Sequence, residues 1–462
     1  MKLNHKFEYL HFGLSDDILR RKVYGDFQGA IQLIDRKLES ENLSQAMRNS
    51  MIVQREIMLR LPENYTYTKE KAISKIQKYI PDFTEVEFLE RELKGEIDWI
   101  YIKGIPHYFE RFYETIIKTD SKFAARAGLQ NVISDGASTA SPTEEDPLER
   151  IARTMLEKGS SSNRIRVRAS LKIKDQYFEP GEIVRVHLPV PCDCPQQSEI
   201  KIESMLPSNG QLAPEDAPQR TIFWEEQMME NHSFTVEYSY VYTGQYIDVN
   251  SIIPDEKQPS FHINEQPPHI IFTPYIKELA QSLTKGLTSP LEKARAIYDY
   301  ITLNMKYSFM PSYFCLENIS ENSARNLKGD CGVMALLFIT LCRCSGIPAG
   351  WQSGLMTRPD FCGAHDWATF YIAPFGWLYA DPSFGTGAVR EGNEERRKFY
   401  FGNLDSFRMI ANTKFQTGFT MSKNFWRADP YDNQSGEIET LHRGLQYFEF
   451  HSFREVIGFE DL

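Results

Sequence analysis

Apolar residues in the first 133 positions recur at helical spacing. Phe27, Ala30, Ile31, Ile34 and Leu38 form one stripe, and Met47, Met51, Ile52, Ile57 and Leu59 carry the pattern over 44–61. Ser15-Asp16-Asp17 supplies an N-cap and first-turn acids for an earlier helix, and further helices are predicted over 69–79, 85–93 and 107–118. Stripes of this kind pack helix against helix, and none of their residues points to chemistry. Residues 1–134 are therefore read as a helical N-terminal domain. The run DGASTASPTEEDP at 135–147 is small, polar and acidic, and Pro147 opens a short helix, so 135–160 reads as a linker with one helix.

From Asn163 the period changes to two. Ile165, Val167, the run 183–188, Thr221-Ile222-Phe223-Trp224 and the run 233–240 alternate as half-buried strands do, with Pro180-Gly181 and Ser208-Asn209-Gly210 as turns. Short strands at this spacing predict a β-sandwich over 161–250. Four prolines within 251–269 mark a connector. A helix over 289–305 follows, with Ala294, Ile297, Tyr298 and Ile301 on one face.

The segment GDCGVMALLFITLCRCSGIP is apolar in every direction around a helix, so it predicts a buried one, closed by Gly346 and Pro348. Cys331 opens it. There the partial positive charge of unpaired backbone N–H groups favours a thiolate, while Asp330 opposes it unless its side chain turns away to cap the helix. Gly329 and Gly332 flank the thiol without side chains, which lets a substrate backbone approach. Farther on, His365-Asp366-Trp367-Ala368-Thr369-Phe370-Tyr371 alternates as a strand, Pro374-Phe375-Gly376 turns, and Trp377-Leu378-Tyr379-Ala380-Asp381 returns. The hairpin thus offers His365 on one strand and Asp381 on its neighbour. A turn centred on Phe375 leaves them out of direct register, so a bulge or a diagonal contact has to join them. A thiol needs an imidazole to accept its proton, and the imidazole needs a carboxylate to hold its tautomer. Cys331, His365 and Asp381 supply that set.

Overall composition narrows the function further. With 63 acidic and 52 basic residues the formal charge is −11, and no basic stripe is present, so a general nucleic-acid binder is excluded. There is no apolar run long enough to span a membrane and no secretory signal, so a cytoplasmic protein is expected. Seven cysteines, odd in number and scattered, read as free thiols. Cys192 and Cys194 lack the spacing and the second ligand pair of a zinc site. Asp429, Asp432, Glu437 and Glu439 lack the ligand spacing of a calcium loop and read as a solvated acidic surface.

In order, GDCG…GIP, HDW and GWLYADPS resemble the bacterial transglutaminase-like superfamily. The resemblance is strongest over about 270–390. It implies an α+β, papain-like catalytic core, here 251–390, with the cysteine helix packed on an antiparallel sheet, and a C-terminal extension over 391–462 that packs on the core. It also implies triad roles for Cys331, His365 and Asp381, an amide bond of a peptide or protein as target, and no cofactor or metal, since the calcium loops of the animal enzymes have no match. Hydrolysis is the expected reaction. Transfer of a glutamine acyl group to an amine, or a scaffold without catalysis, are the alternatives. Trp351, Trp367 and Trp377 are expected to wall the substrate cleft, and Tyr307, Tyr313 and Trp367 are candidates for the second oxyanion donor beside the Cys331 N–H.

Overall fold

A computed structural model describes residues 3–39, 42–129 and 146–462, and the predicted linker over 135–145 lies outside them. The described residues fall into two compact units. One draws on Met1–Ser134, Glu265–Ile271 and Lys306–Asp330, the other on Asp135–Asn264, Phe272–Met305 and Cys331–Leu462.

In the first unit the helical stripes become Asp16–Tyr24, Phe27–Leu38, Gln45–Asn64, Lys69–Gln77, Glu85–Leu93, Phe112–Thr119 and Ser121–Arg126. Ile18, Phe27, Ala30, Ile34, Met51 and Met58 close one core; Ala72, Ile76, Phe83, Phe88 and Phe112 belong to another. Residues 99–108 are a hairpin, Trp99–Ile102 against Ile105–Tyr108, not helix. Its two turn residues, Lys103 and Gly104, both have positive φ, the mirror-image turn that matches strand twist. This hairpin takes His107 out of the helix expected over 107–118. The segments 265–271 and 306–330 also belong to this unit. His269 Nδ1 accepts from the Ile319 N–H at 3.2 Å, and Thr115 Oγ1 accepts from the Phe309 N–H at 3.2 Å.

The second unit holds two four-stranded sheets and one five-stranded sheet. In the first, Ser160–Ile173 lies between Phe450–Asp461 and Phe234–Gln245, with Gln197–Leu206 outermost. In the second, Glu182–Pro189 lies between Glu437–Thr440 and Thr221–Met228, with Gln211–Leu212 outermost. The predicted strands are thus present, but each sheet is completed by a strand from the C-terminal extension. Ile165, Val167, Val186, Trp224, Tyr238 and Tyr240 are buried between them.

The five-stranded antiparallel sheet runs Phe401–Gly402, Gly376–Ala380, Phe361–Ile372, Ala349–Arg358 and Arg408–Asn412. Helix Cys331–Cys344 packs on it, with Phe338 edge-on to Phe370 at 5.6 Å. The core of the sandwich continues into this sheet through Leu355, Trp367, Met409 and Ile410. No helix among the described residues is long and apolar enough to cross a membrane.

Strand Ala349–Arg358 pairs on both sides, and its register with Arg408–Asn412 slips between Ser353 and Gly354. The slip brings the Met409 carbonyl so close that a Cβ at position 354 would sit 1.9 Å from its oxygen. Backbone cannot yield as a side-chain tip does. Gly354→Ala should therefore lower unfolding free energy by at least about 2 kcal/mol, read from urea titration. An unchanged midpoint would show that the slip is not held in solution.

Candidate active site

Cys331 is the first residue of helix Cys331–Cys344, whose residues from Gly332 to Arg343 are all buried. Burial on every side fixes the axis, so the helix N-terminus and its N–H groups are held in place against the sheet. The thiol donates a hydrogen bond to Asp366 Oδ2 at 3.3 Å. Gly332 is enclosed in the helix's first turn, and Gly329 lies in the two-residue parallel pairing of Lys328–Gly329 with Lys306–Tyr307. Asp330, expected to cap the helix, accepts from the Tyr313 hydroxyl.

The hairpin register answers the geometric question set by the sequence. Ala368 pairs with Ala380 and Tyr371 with Trp377, without a bulge. Continued by one residue, that register puts Asp381 beside Trp367, two positions from His365 and on the same face. A diagonal contact closes the gap, with His365 Nε2 2.7 Å from Asp381 Oδ2. Asp381 is fully buried and His365 nearly so. Asp381 is also the N-cap of helix Pro382–Arg390. Its Oδ1 accepts from the Phe384 N–H at 3.0 Å and from Ser383 Oγ at 3.1 Å. With Nε2–H donated to a carboxylate, Nδ1 of His365 carries the lone pair and can act as a base.

Two supporting groups were not anticipated. Arg408 is fully buried and its Nη2 lies 2.8 Å from Asp381 Oδ2 and 2.6 Å from Asp405 Oδ2. Burial alone would raise the Asp381 carboxyl, but the charges of His365 and Arg408 reverse this and hold it well below the usual carboxylate range. The second group is Gln434, whose Nε2 donates to the His365 carbonyl at 2.8 Å and to Asp366 Oδ1 at 2.6 Å. It ties the His365 backbone to the Asp366 side chain. A lone Arg or Gln far along the chain has no spacing signature that could have exposed either role.

The three tryptophans do not share one wall. Trp367 is fully buried, donates from Nε1 to Gln352 Oε1 at 2.9 Å, and stacks under the Arg408 guanidinium at 4.8 Å. Its N–H is therefore engaged inside the core. Trp351 pairs across the sheet with Ala368 while Gln352 pairs with Trp367, so the two indoles project from opposite faces. Trp351 is itself buried against Phe415. Trp377 is half-exposed at the turn end of the hairpin, packed on Phe261 and Tyr371. Tyr307 and Tyr313 lie in the first unit, Tyr307 under the Lys118 ammonium at 3.4 Å.

Nor do the four acids of the extension form a solvated surface. Glu437 and Glu439 are fully buried. Glu437 is held by Lys423 Nζ at 2.8 Å and by the N–H groups of Ala428 and Asp429. Glu439 pairs with Arg185 and accepts the Asn424 N–H at 3.0 Å. Asp432 is buried with Oδ2 2.5 Å from Ser353 Oγ. Acids that fold a loop over themselves need cationic and N–H partners, which the sequence scatters over 185–429. Among the described residues no group of three or more His, Cys, Asp or Glu is arranged to hold a metal ion.

Comparison with known proteins finds a match over part of the chain. Residues 277–382 match the transglutaminase-like superfamily, a segment that contains all three of Cys331, His365 and Asp381. No curated protein matches the chain. Among solved structures, a proposed cysteine protease from Cytophaga hutchinsonii aligns at 14% identity with a TM-score of 0.40, covering 65% of this chain and 91% of its own. The periplasmic domain of TgpA from Pseudomonas aeruginosa aligns at 13% identity with a TM-score of 0.28, covering 55% of this chain and 96% of its own.

The depressed Asp381 carboxyl has a consequence for stability. A carboxylate favoured in the folded state stabilises it above the unfolded value of about 3.9, and that contribution is lost as pH falls from about 5 toward 2. Asp381→Asn removes the buried charge and leaves Arg408 with one carboxylate, so it should cost about 3 kcal/mol at neutral pH. The gap between wild type and variant should shrink on acidification. Urea titrations at several pH values test this, and a gap independent of pH would mean that Asp381 is not held as a carboxylate.

Proposed function

From the transglutaminase-like core that this protein carries at residues 277–382, we propose that it is a cysteine-dependent amide hydrolase acting on peptide or protein substrates. The observation that carries the reading is the 2.7 Å contact of His365 Nε2 with the buried Asp381, which leaves Nδ1 free to act as a base, while the Cys331 thiol reaches the next residue of the same strand, Asp366, at 3.3 Å. In the first step Nδ1 accepts the thiol proton as Sγ attacks the amide carbonyl carbon. The tetrahedral oxyanion is met by the Cys331 backbone N–H at the helix terminus. Collapse breaks the C–N bond, His365 returns its proton to the departing amine, and a thioester remains on Cys331. Water then loses a proton to Nδ1 and attacks the thioester. Acid and restored thiol are the products. Throughout, Asp381 stays ionised, holds the tautomer and offsets the charge on the imidazolium.

The Asp366 contact refines the first step. A carboxylate that accepts the S–H bond opposes a second negative charge on sulfur, against the favourable field of the helix N-terminus. Reaction begins when Sγ exchanges Asp366 for His365 Nδ1. Proton transfer then accompanies attack.

The other thiols give internal controls. Cys342 and Cys192 are pushed up, Cys342 by burial and Cys192 first by its hydrogen bond with Cys194. Burial raises Cys315 to about 12 and Cys362 to about 11. Cys194, lowered by its bond from Cys192, is the one to compare against. Iodoacetamide mapped by mass spectrometry between about pH 6 and 7 should label Cys331 first. His365→Ala should slow that labelling, and Asp366→Asn should speed it. Slower labelling in Asp366→Asn would make Asp366 the base in place of His365.

The reaction itself is tested with a library of peptide amides. Free acid should be released even in the presence of a primary amine, and Cys331→Ala should abolish release. Asp381→Asn should retain activity reduced by on the order of 10³–10⁴. Amine incorporation that outpaces acid release, and is lost in Cys331→Ala, would make an amine the acceptor in place of water.

A further inference from the structure

Arg408 is an odd neighbour for a carboxylate whose task is to support an imidazolium. Its Nη2 approaches the same Oδ2 of Asp381 that accepts from His365, at 2.8 Å against 2.7 Å. A cation there draws off part of the field that would otherwise raise the proton affinity of His365. Asp405 counteracts the cation. Its Oδ2 takes both Nη2 at 2.6 Å and Nε at 3.1 Å, while its Oδ1 is fixed by the Phe407 N–H at 3.0 Å. Trp367, Phe384 and Tyr400 surround the guanidinium at 4.8, 5.2 and 5.9 Å, and Nη1 makes no hydrogen bond. An arginine held by two carboxylates and three rings cannot swing away, and at full burial water does not screen it.

We propose that Arg408 and Asp405 are positioning residues that set the proton affinity of the His365–Asp381 pair, with Arg408 lowering it and Asp405 raising it. The inference rests on the reading of Cys331 as nucleophile and His365 as its base. It gives the four residues one order, imidazole, carboxylate, guanidinium, carboxylate, with a net charge of −1 when His365 is neutral. Other ionisable groups facing this row are Tyr400, whose hydroxyl donates to Asp405 at 3.2 Å, and Tyr242 and Tyr298, all buried and held protonated, with Arg396 beyond Tyr400. Asp366 follows His365 on the same strand, with its side chain on the other face.

The sign of each effect is independent of mechanistic detail. Removing a nearby cation raises the pKa of every group it faces, and removing an anion lowers it. Asp405→Asn keeps the shape and acceptor of the side chain. It should move the pH dependence of Cys331 alkylation and of peptide-amide hydrolysis to lower pH, by on the order of half a unit. Arg408→Gln should move both to higher pH, by on the order of one unit. The double variant, which removes one charge of each sign, should return toward wild type. Should Arg408→Gln fail to fold, Arg408→Lys keeps the charge but not the fork; it should leave the pH dependence near wild type while lowering kcat, as expected for lost orientation. A purely structural role would lower activity in every variant without opposite shifts, and equal or same-direction shifts would overturn the proposal. The alkylation profile of His365→Ala separates this failure from the other. If that profile matches wild type, His365 is not the base and the functional reading falls; if it differs while the Asp405 and Arg408 variants do not shift, only this inference falls.

Discussion

The burial of one negative charge organises this site. Asp381 has no exposed surface, and an ionised carboxylate without partners in such a place is prohibitively unfavourable. Each of its partners answers that requirement. The Phe384 N–H and Ser383 hydroxyl occupy one oxygen, and His365 and Arg408 occupy the other. Arg408 is buried in turn and needs Asp405, which needs Tyr400 and the Phe407 N–H. Four elements of the fold are thereby tied to one atom pair: strands Phe361–Ile372 and Arg408–Asn412, helix Pro382–Arg390 and the loop at 403–407. Arg408 comes from the edge strand of the five-stranded sheet, so the guanidinium depends on that strand being in place.

What holds the edge strand is the sandwich. Met409, Ile410 and Ala411 belong to the same buried cluster as Val167, Val186 and Tyr238, and Gln197 bonds the Ile410 backbone through both its amide groups. The sandwich itself is complete only with Glu437–Thr440 and Phe450–Asp461. The extension also supplies Gln434, which grips the His365 carbonyl and Asp366. The β-rich segment and the extension are therefore parts of the scaffold that positions the imidazole. Packing transmits position here because close-packed interiors deform little.

Much of this was legible in the residue pattern. Period-two alternation marked the sandwich strands, and the all-apolar run after Cys331 marked the central helix. Counting residues around the turn put His365 and Asp381 out of direct register and left a bulge or a diagonal contact to join them; the structure has the diagonal contact. Three features escaped for physical reasons. The hairpin at 99–108 depends on a Lys-Gly turn with positive φ at both residues, a weak signal beside helical neighbours. Indole side chains look like cleft walls by type, but Trp367 is used as a platform for a guanidinium, which only its three-dimensional partner explains. The pairing of acids with Arg185, Lys423, Arg427 and Arg408 spans long sequence separations and leaves no periodic trace.

The buried acids around the candidate site show how partners decide charge. Asp381 and Asp432 are the same residue type, both enclosed, and they shift in opposite directions. Burial pushes the Asp432 carboxyl up, against its hydrogen bonds with the Ser353 hydroxyl at 2.5 Å and with Asp366 and Trp351. Burial and the neighbouring Asp432 push Asp429 well up as well. Those carboxyls shift up because burial outweighs the charge of nearby Arg427, whereas Asp381 shifts down because His365 and Arg408 face it directly. The sheet thus separates two environments. Strand alternation places the imidazole and its ionised carboxylate on one side of Phe361–Ile372, and Asp366 with Ser353 on the other. The Cys331 thiol meets this strand through Asp366, to which it donates at 3.3 Å, so the residue next to His365 is the one that engages the sulfur.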